Sequence, residues 1–310
     1  PPARESLVTR PGCAEGKSVT LNNTVDFLMH HELSRMSRTQ TIRRFVRWQV
    51  ASRLAAGPIV HSWVNGIRVA VSRGDTGMTG NIYVGLHEFE DMAFLLHLLR
   101  AGDHFADVGA NVGSYSLLAA SRGATCDAYE PVPRTSAKLA DNVLLNDWAG
   151  KIAINRLAVS DRAGVAHFSD GNDSSVNHLL TELPPNSATI EVPLTTLDIS
   201  LTRQPNLIKI DVEGFEADVL RGAARTLTEE SLCAVIVEAN EGTAKTSGGV
   251  TETMTDLGFR PYVYDPMSRR LSLRSGRSVR GNNTLFIRDA DQVQVRLAQA
   301  PRFTVLGNNI

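Results

Sequence analysis

The chain has 310 residues, 42% of them hydrophobic and 21% charged, and a formal net charge of −1. That balance excludes an intrinsically disordered chain and, taken over the whole length, a basic nucleic-acid-binding protein. The length suits one large domain, or one domain with an extension. Charge is unevenly placed: residues 1–80 hold eleven Lys or Arg against five Asp or Glu, a net of +6 that leaves −7 for the rest. Arg35, Arg38, Arg43, Arg44, Arg47 and Arg53 make up most of that excess. It reads as the solvated face of a helix, with a surface for an anionic acceptor or acidic partner as the sharper alternative. Cys13, Cys126 and Cys233 have no metal-ligand spacing and form no disulfide framework. Cys126 and Cys233 sit in apolar runs as small core residues, which points to a reducing, cytoplasmic setting. No segment reaches the roughly 18 apolar residues that span a bilayer.

Residues 1–20 read as a loose arm. A helix follows from near Thr24 to about Ala56, capped by Asn22 or Asn23 and broken near Ser37. Trp63–Val71 alternates as strand, with Asn65-Gly66 as a tight turn, and Gly74–Gly80 reads as loop. From Glu88 the pattern becomes alternating helix and strand. A helix over Glu88–Arg100 carries Phe89, Met92, Leu95, Leu96 and Leu99 on one face. Strands are expected at His104–Val108, Cys126–Tyr129, Ile152–Val159, 164–169, 189–197, Leu207–Val212 and Cys233–Val237. Helices are expected at Gly113–Ser121, at Pro133–Asn146 with Pro133 in its first turn, at Phe215–Leu227 and near 247–257. Strands at 261–264, 271–274 and 283–288 close the series. This order predicts an α/β domain with a mostly parallel sheet covered on both faces and one antiparallel strand in its edge region. The domain boundaries expected are an N-terminal extension over 1–80, the α/β domain over 81–290 and a tail over 291–310.

The chemistry begins at Asp107-Val108-Gly109-Ala110-Asn111-Val112-Gly113. A strand running into a glycine-rich turn and then a helix places backbone N–H groups at the carboxyl edge of the sheet, where open α/β folds bind ligands. The turn is G-x-x-x-G and lacks the middle glycine of the dinucleotide fingerprint; no Gly-Lys-Ser/Thr follows it, so it is no P-loop either. Asp107 beside the turn would repel a pyrophosphate and suits a ligand with a cationic amino group. Glu130 ends the next strand, where a carboxylate accepts hydrogen bonds from ribose hydroxyls. Alone, Glu130 fits S-adenosylmethionine and NAD equally.

Several motifs, in order, resemble the FkbM-type methyltransferases: Asp107 to Ser116, Tyr129-Glu130-Pro131 with Leu139, Asn142 and Asn146 behind it, Ala158-Val159-Ser160-Asp161 and Thr196-Leu197-Asp198. The most specific is Ile208-Lys209-Ile210-Asp211-Val212-Glu213-Gly214-Phe215-Glu216, with Val219-Leu220 and Gly222-Ala223 following. The resemblance spans roughly 82–240 and does not cover 1–80. It implies a class I methyltransferase (Rossmann-like) fold with a seven-stranded sheet, S-adenosylmethionine as donor, and O-methylation of a hydroxyl on a polyketide-like small molecule or a sugar. Carried over by position, it implies that Asp107, Gly109, Ala110, Asn111 and Gly113 hold the methionine portion, with Tyr115 and Ser116 at its side. Glu130 and Pro131 would hold the ribose, and Ala158, Val159 and Ser160, rather than Arg156, would cover the adenine.

A hydroxyl acceptor must be aligned and must lose a proton. Lys209, Asp211 and Glu213 alternate along a strand and therefore share a face. A buried lysine needs a partner, so Lys209 is expected to pair with a carboxylate, and Asp211 and Glu213 are the expected catalytic residues. Asp211 also counts among the cofactor contacts. Glu216 serves the helix dipole. His87, Glu88 and His178 fall in segments that would overhang the cleft. Asp211, Glu238 and Asn240 form an oxygen-rich set of the type Mg²⁺ takes, but no metal is expected. The readings set against methyl transfer are an NAD-linked oxidoreductase, disfavoured by Asp107 and the missing glycine, and a non-catalytic cofactor-binding scaffold, disfavoured by the intact acidic set. Residues 1–80 would serve as a lid, a homodimer contact or an acceptor platform, with no membrane span and no nucleic-acid partner.

Overall fold

The computed structural model describes residues 21–169, 189–238, 247–274 and 283–310. Cys13, His178 and Asn240 lie outside the described residues. The N-terminal part is helical, with α1 (Leu21–His30), α2 (Glu32–Met36) and α3 (Arg38–Leu54). The expected break near Ser37 is real: its φ/ψ of −157°/77° separates α2 from α3. Strands β1 (Ile59–Ser62) and β2 (Arg68–Val71) pair antiparallel. Asn65 and Gly66 both take positive φ in the connection, as a primed hairpin turn requires. Thus Trp63 and its neighbours form the turn and not one continuous strand. The stretch expected as loop at Gly74–Gly80 is mostly the helix α4 (Thr76–Val84). Its glycines hid it, and tertiary packing of Met78 and Ile82 overrides the low propensity.

After α5 (Phe89–Leu98) come β3 (His104–Val108), α6 (Ser114–Ser121), β4 (Thr125–Tyr129), α7 (Pro133–Leu145) and β5 (Ile152–Asn155). The expected third strand breaks there. β6 (Ala158–Val159), β7 (Gly164–Ser169) and β8 (Thr189–Thr195) form a separate three-stranded sheet in the order β6-β8-β7. The chain returns through α8 (Leu197–Ser200), β9 (Leu207–Ile210), α9 (Glu216–Arg221) and β10 (Ala234–Glu238). It ends through α10 (Ser247–Asp256), β11 (Arg260–Asp265), β12 (Arg270–Leu273), β13 (Asn283–Ile287), α11 (Ala290–Ala298), β14 (Thr304–Val305) and β15 (Asn308–Asn309).

The main sheet has eight strands among the described residues, ordered β12-β11-β13-β10-β9-β3-β4-β5. Strands β10, β9, β3, β4 and β5 are parallel. β13 runs antiparallel between β10 and β11, and β12 adds a further antiparallel strand at the edge. This is the class I arrangement with one strand more than expected, and the reversed strand β13 lies inside the sheet. Val108 stands level with both Tyr129 and Ile210. The carboxyl ends of β3, β4 and β9 therefore meet in one row. The chain turns to one side of β3 for β4 and to the other for β9, which makes this row the topological switch point where open α/β sheets bind ligands.

Helices α5 and α6 pack against each other, and α11 packs on α5. Residues 291–310, expected as a tail, bury Val293, Leu297, Phe303, Val305 and Ile310 in the core. Their polar outer face masked the pattern. Cys126 and Cys233 are buried and free. No helix among the described residues is long and apolar enough to cross a membrane. Leu297→Ala should cost about 3 kcal/mol, the range for a fully buried leucine, and lower the midpoint of a single cooperative denaturant transition. A detachable tail would leave that midpoint unchanged.

Candidate active site

A cavity of about 330 Å³ opens at the carboxyl row of β3, β4 and β9. Its floor is the turn after β3. Gly109 takes φ +83°, and a Cβ there would lie 1.9 Å from the Asp211 carbonyl oxygen. Only glycine lets the β3 turn and the end of β9 come this close. Gly113, at φ +93°, presses on Leu139, whose Cδ1 would sit 2.3 Å from an added Cβ. Asn111 also takes positive φ, and its buried Oδ1 has no partner among the described residues. The turn thus presents its backbone to the cavity.

Glu130 is almost fully buried. Its carboxylate accepts the N–H of Asn111 at 3.0 Å and of Val132 at 2.9 Å. It therefore ties the β3 turn to the start of α7 while lining the cavity. Burial pushes its pKa up to about 7, against the pull of those two N–H groups. Asp107 is buried too, and burial raises its pKa to about 6 despite Lys209 and Ser116.

Lys209 on β9 is buried. Its ammonium lies 2.5 Å from Asp211 Oδ2 and 4.7 Å from the centre of the Tyr115 ring. Asp211 comes just past the strand end, and burial there acts to raise its pKa. Lys209 and a hydrogen bond from Glu238 outweigh that and hold it below the usual carboxylate range. Glu238, at the end of β10, is pushed up to about 9 by burial and by sharing a proton with Asp211. Glu213 stands exposed at the rim in a positive-φ turn, and its backbone has already left the strand. Oxygens of Asp211, Glu213 and Glu238 lie within 4.8 Å of one another. Carboxylates so grouped fit a divalent cation by donor type, but each has a partner without one.

The cavity lining includes Asp107, Gly109, Ala110, Asn111, Tyr115, Glu130, Pro131, Ala158, Asp211 and Glu213 from the expected set. Gly113, Ser116 and Ser160 are not among the lining residues. Gly113 packs on α7, as above. Ser116 is buried behind Asp107 and donates to its Oδ2 at 2.5 Å, orienting it. Ser160 points to Asp161, and its carbonyl lies against Gly222, where a Cβ would meet it at 2.0 Å. The expected pairing of Lys209 with a carboxylate is present. Glu216 accepts the Gly214 N–H at 2.9 Å, bracing the turn before α9.

His87 and Glu88 do overhang the cavity. Glu88 accepts the Tyr115 hydroxyl at 2.8 Å and the Asn283 amide at 2.9 Å. Asn283 also donates to Asp91, whose pKa burial and Glu88 push up to about 7. Both His87 and Glu88 also wall a second cavity of about 780 Å³, lined by Phe27, Arg35, Tyr262 and Arg274 among others. Leu157, Phe168, Phe215, Met92 and Gly77 line the first cavity without having been expected there. Gly77 had no sequence signal, because α4 itself was read as loop; Phe168 was an alternating strand residue with nothing to set it apart.

Residues 107–261, half of the chain, match the family described as Methyltransferase FkbM domain. The chain belongs to this family. It is 30% identical over 171 residues to 31-O-demethyl-FK506 methyltransferase FkbM of Streptomyces tacrolimicus, over 43% of this chain and 65% of that protein. It is 29% identical over 158 residues to hexuronic acid methyltransferase AglP of Haloferax volcanii, over 50% of this chain and 63% of that one. The chain therefore spans just under two thirds of the length of these relatives. Among solved structures it is similar to a methyltransferase FkbM from Methylobacillus flagellatus, with TM-score 0.44 and 14% identity over 79% of this chain and 59% of the other. The family match starts at Asp107 and takes in the cavity floor, Glu130 and the Lys209–Glu216 stretch.

Lys209→Met should destabilise the protein by about 3 kcal/mol at neutral pH, because it strands a part-buried carboxylate. Loss of Lys209 lets Asp211 titrate upward, so the penalty should shrink as pH falls toward 5 and the carboxylates protonate. Thermal melts of both proteins across pH check this; a penalty independent of pH would rule out the electrostatic cause.

Proposed function

We propose that the protein is an S-adenosylmethionine-dependent O-methyltransferase acting on a hydroxyl of a polyketide-like small molecule or a sugar. The observation that carries this reading is the pairing of Asp107 and Glu130 in one cavity, on either side of a turn whose close approach to Asp211 only Gly109 permits. The donor set matches the ligand: Asp107 suits an ammonium, Glu130 suits ribose hydroxyls, and the β3 turn offers backbone to the methionine portion. Leu157, Ala158, Val159 and Phe168 offer an apolar wall suited to an adenine. The names of the two relatives, one acting on a demethylated FK506 and one on a hexuronic acid, support a hydroxylated acceptor.

When bound, S-adenosylmethionine supplies a methyl group already activated by its sulfonium. The remaining work falls to the chain. Ser116 holds Asp107 in place. Lys209 keeps Asp211 ionised, so its carboxylate accepts a hydrogen bond from the acceptor hydroxyl and takes up its proton as the oxygen becomes the nucleophile. Glu213 at the rim orients the acceptor. Glu238, carrying a proton at neutral pH, steadies Asp211 by donating to it. Glu88 and Tyr115 close the roof and limit water.

Glu130→Ala should weaken S-adenosylmethionine binding by roughly 100-fold, through loss of the acceptors for the ribose hydroxyls together with the clamp on the β3 turn; calorimetry measures it. Absence of binding by the unaltered protein would sink the proposal. Asp211→Asn should lower kcat by about 100-fold with an identified acceptor; unchanged kcat would move the base elsewhere.

A further inference from the structure

We propose that α3 is a membrane-surface helix which docks the protein on anionic lipid bilayers. Its inner face is settled by contacts with α4: Thr41 and Trp48 are buried, Phe45 meets Tyr83 edge-on at 5.2 Å, and Arg44 donates to the Tyr83 carbonyl. The outer face carries Ile42, Val46, Val50 and Leu54, four residues apart and hence in one row. These are 47%, 51%, 54% and 82% exposed. Single exposed aliphatics are ordinary, but a continuous row along four turns is not.

Charge decides what covers the row. From Leu33 to Gly74 there is no Asp or Glu, against eight arginines. Arg38, Arg43, Arg47 and Arg53 are all exposed and lie beside the aliphatic row on the same helix. An aliphatic ridge between arginines that can spread their stems along it and lift their charges is the pattern of a helix lying in an anionic lipid interface. A second copy is disfavoured, because two such faces brought together by a two-fold axis oppose arginine to arginine. The chain's own residues 1–20 offer no complement, with three basic and two acidic side chains. A nucleic acid would match the arginines and leave the aliphatic row in water. The inference is independent of the cofactor and of methyl transfer.

The test is co-sedimentation of the full chain with vesicles of phosphatidylcholine, alone or mixed with phosphatidylglycerol. Binding to the mixed vesicles, weakening with added salt, is expected, with little binding to phosphatidylcholine alone. The pair Val46→Glu with Val50→Glu, and separately the pair Arg43→Gln with Arg47→Gln, should each reduce that binding by roughly tenfold or more. Both should keep the parent's thermal midpoint, since all four side chains are exposed. The proposal is overturned if the unaltered chain ignores mixed vesicles or if binding survives the Val→Glu pair. It is also overturned if the Val→Glu pair abolishes a self-association seen without vesicles, or if the chain binds duplex RNA and not the mixed vesicles.

Discussion

The carboxylates of Glu88, Asp107, Asp211 and Glu238 all bear on one buried ammonium, that of Lys209. A cavity lined by so many acids cannot keep them all ionised in a low-dielectric setting. The fold divides them. Lys209 spends its direct contact on Asp211, which stays charged. Glu238 keeps a proton, and Asp107 and Glu130 are left near the middle of their titration at neutral to mildly acid pH. That is a site short of positive charge. It favours a ligand that brings its own cation and several hydroxyl donors, and it disfavours a pyrophosphate. The same shortage explains why the strand ends must stay in register. A slip of β9 against β3 would carry Lys209 and Asp211 together away from Asp107, which stands level with Lys209 on β3.

The backbone enforces that register through contacts a side chain would destroy. The close approach of Gly109 to the Asp211 carbonyl and of Gly222 to the Ser160 carbonyl locks the β3 turn to β9, and α9 to the end of β6. Glu130 completes the frame by bridging the β3 turn to α7. It is both a structural clamp and a ligand-facing group, so its two roles are inseparable in any single substitution.

Much of this was legible in the sequence because it rests on local order. A strand, a glycine turn and a helix in succession name the switch point, and an acid at each neighbouring strand end names the ligand class. Lys209 was legible as a paired charge because a lysine in an apolar strand has few other options. What was not legible depends on distant packing. Ser116 reads like a cavity residue one position after Tyr115, yet helical rotation turns it behind Asp107. Ser160 follows Ala158 by two, yet the short strand β6 leaves the main sheet and carries it toward α9. Alternation placed Glu213 with Lys209 and Asp211, and it does line their cavity, but it gets there through a positive-φ turn, since the strand ends at Ile210. Helix α4 was hidden by its glycines, and α11 by a polar face long enough to look like a tail. The strand at 271–274 was legible as β12, but its pairing with β11 as an eighth strand at the sheet edge was not.

The central claim is that Asp107 and Glu130 are held partly protonated and become ionised against the bound donor. Isothermal titration of S-adenosylmethionine near pH 6.5, in buffers of differing ionisation enthalpy, measures this directly. The account predicts release of about one proton per molecule bound, falling toward zero at about pH 8.5, where both groups are already ionised. Binding with no proton release at the lower pH, or release that does not change between the two, would contradict it.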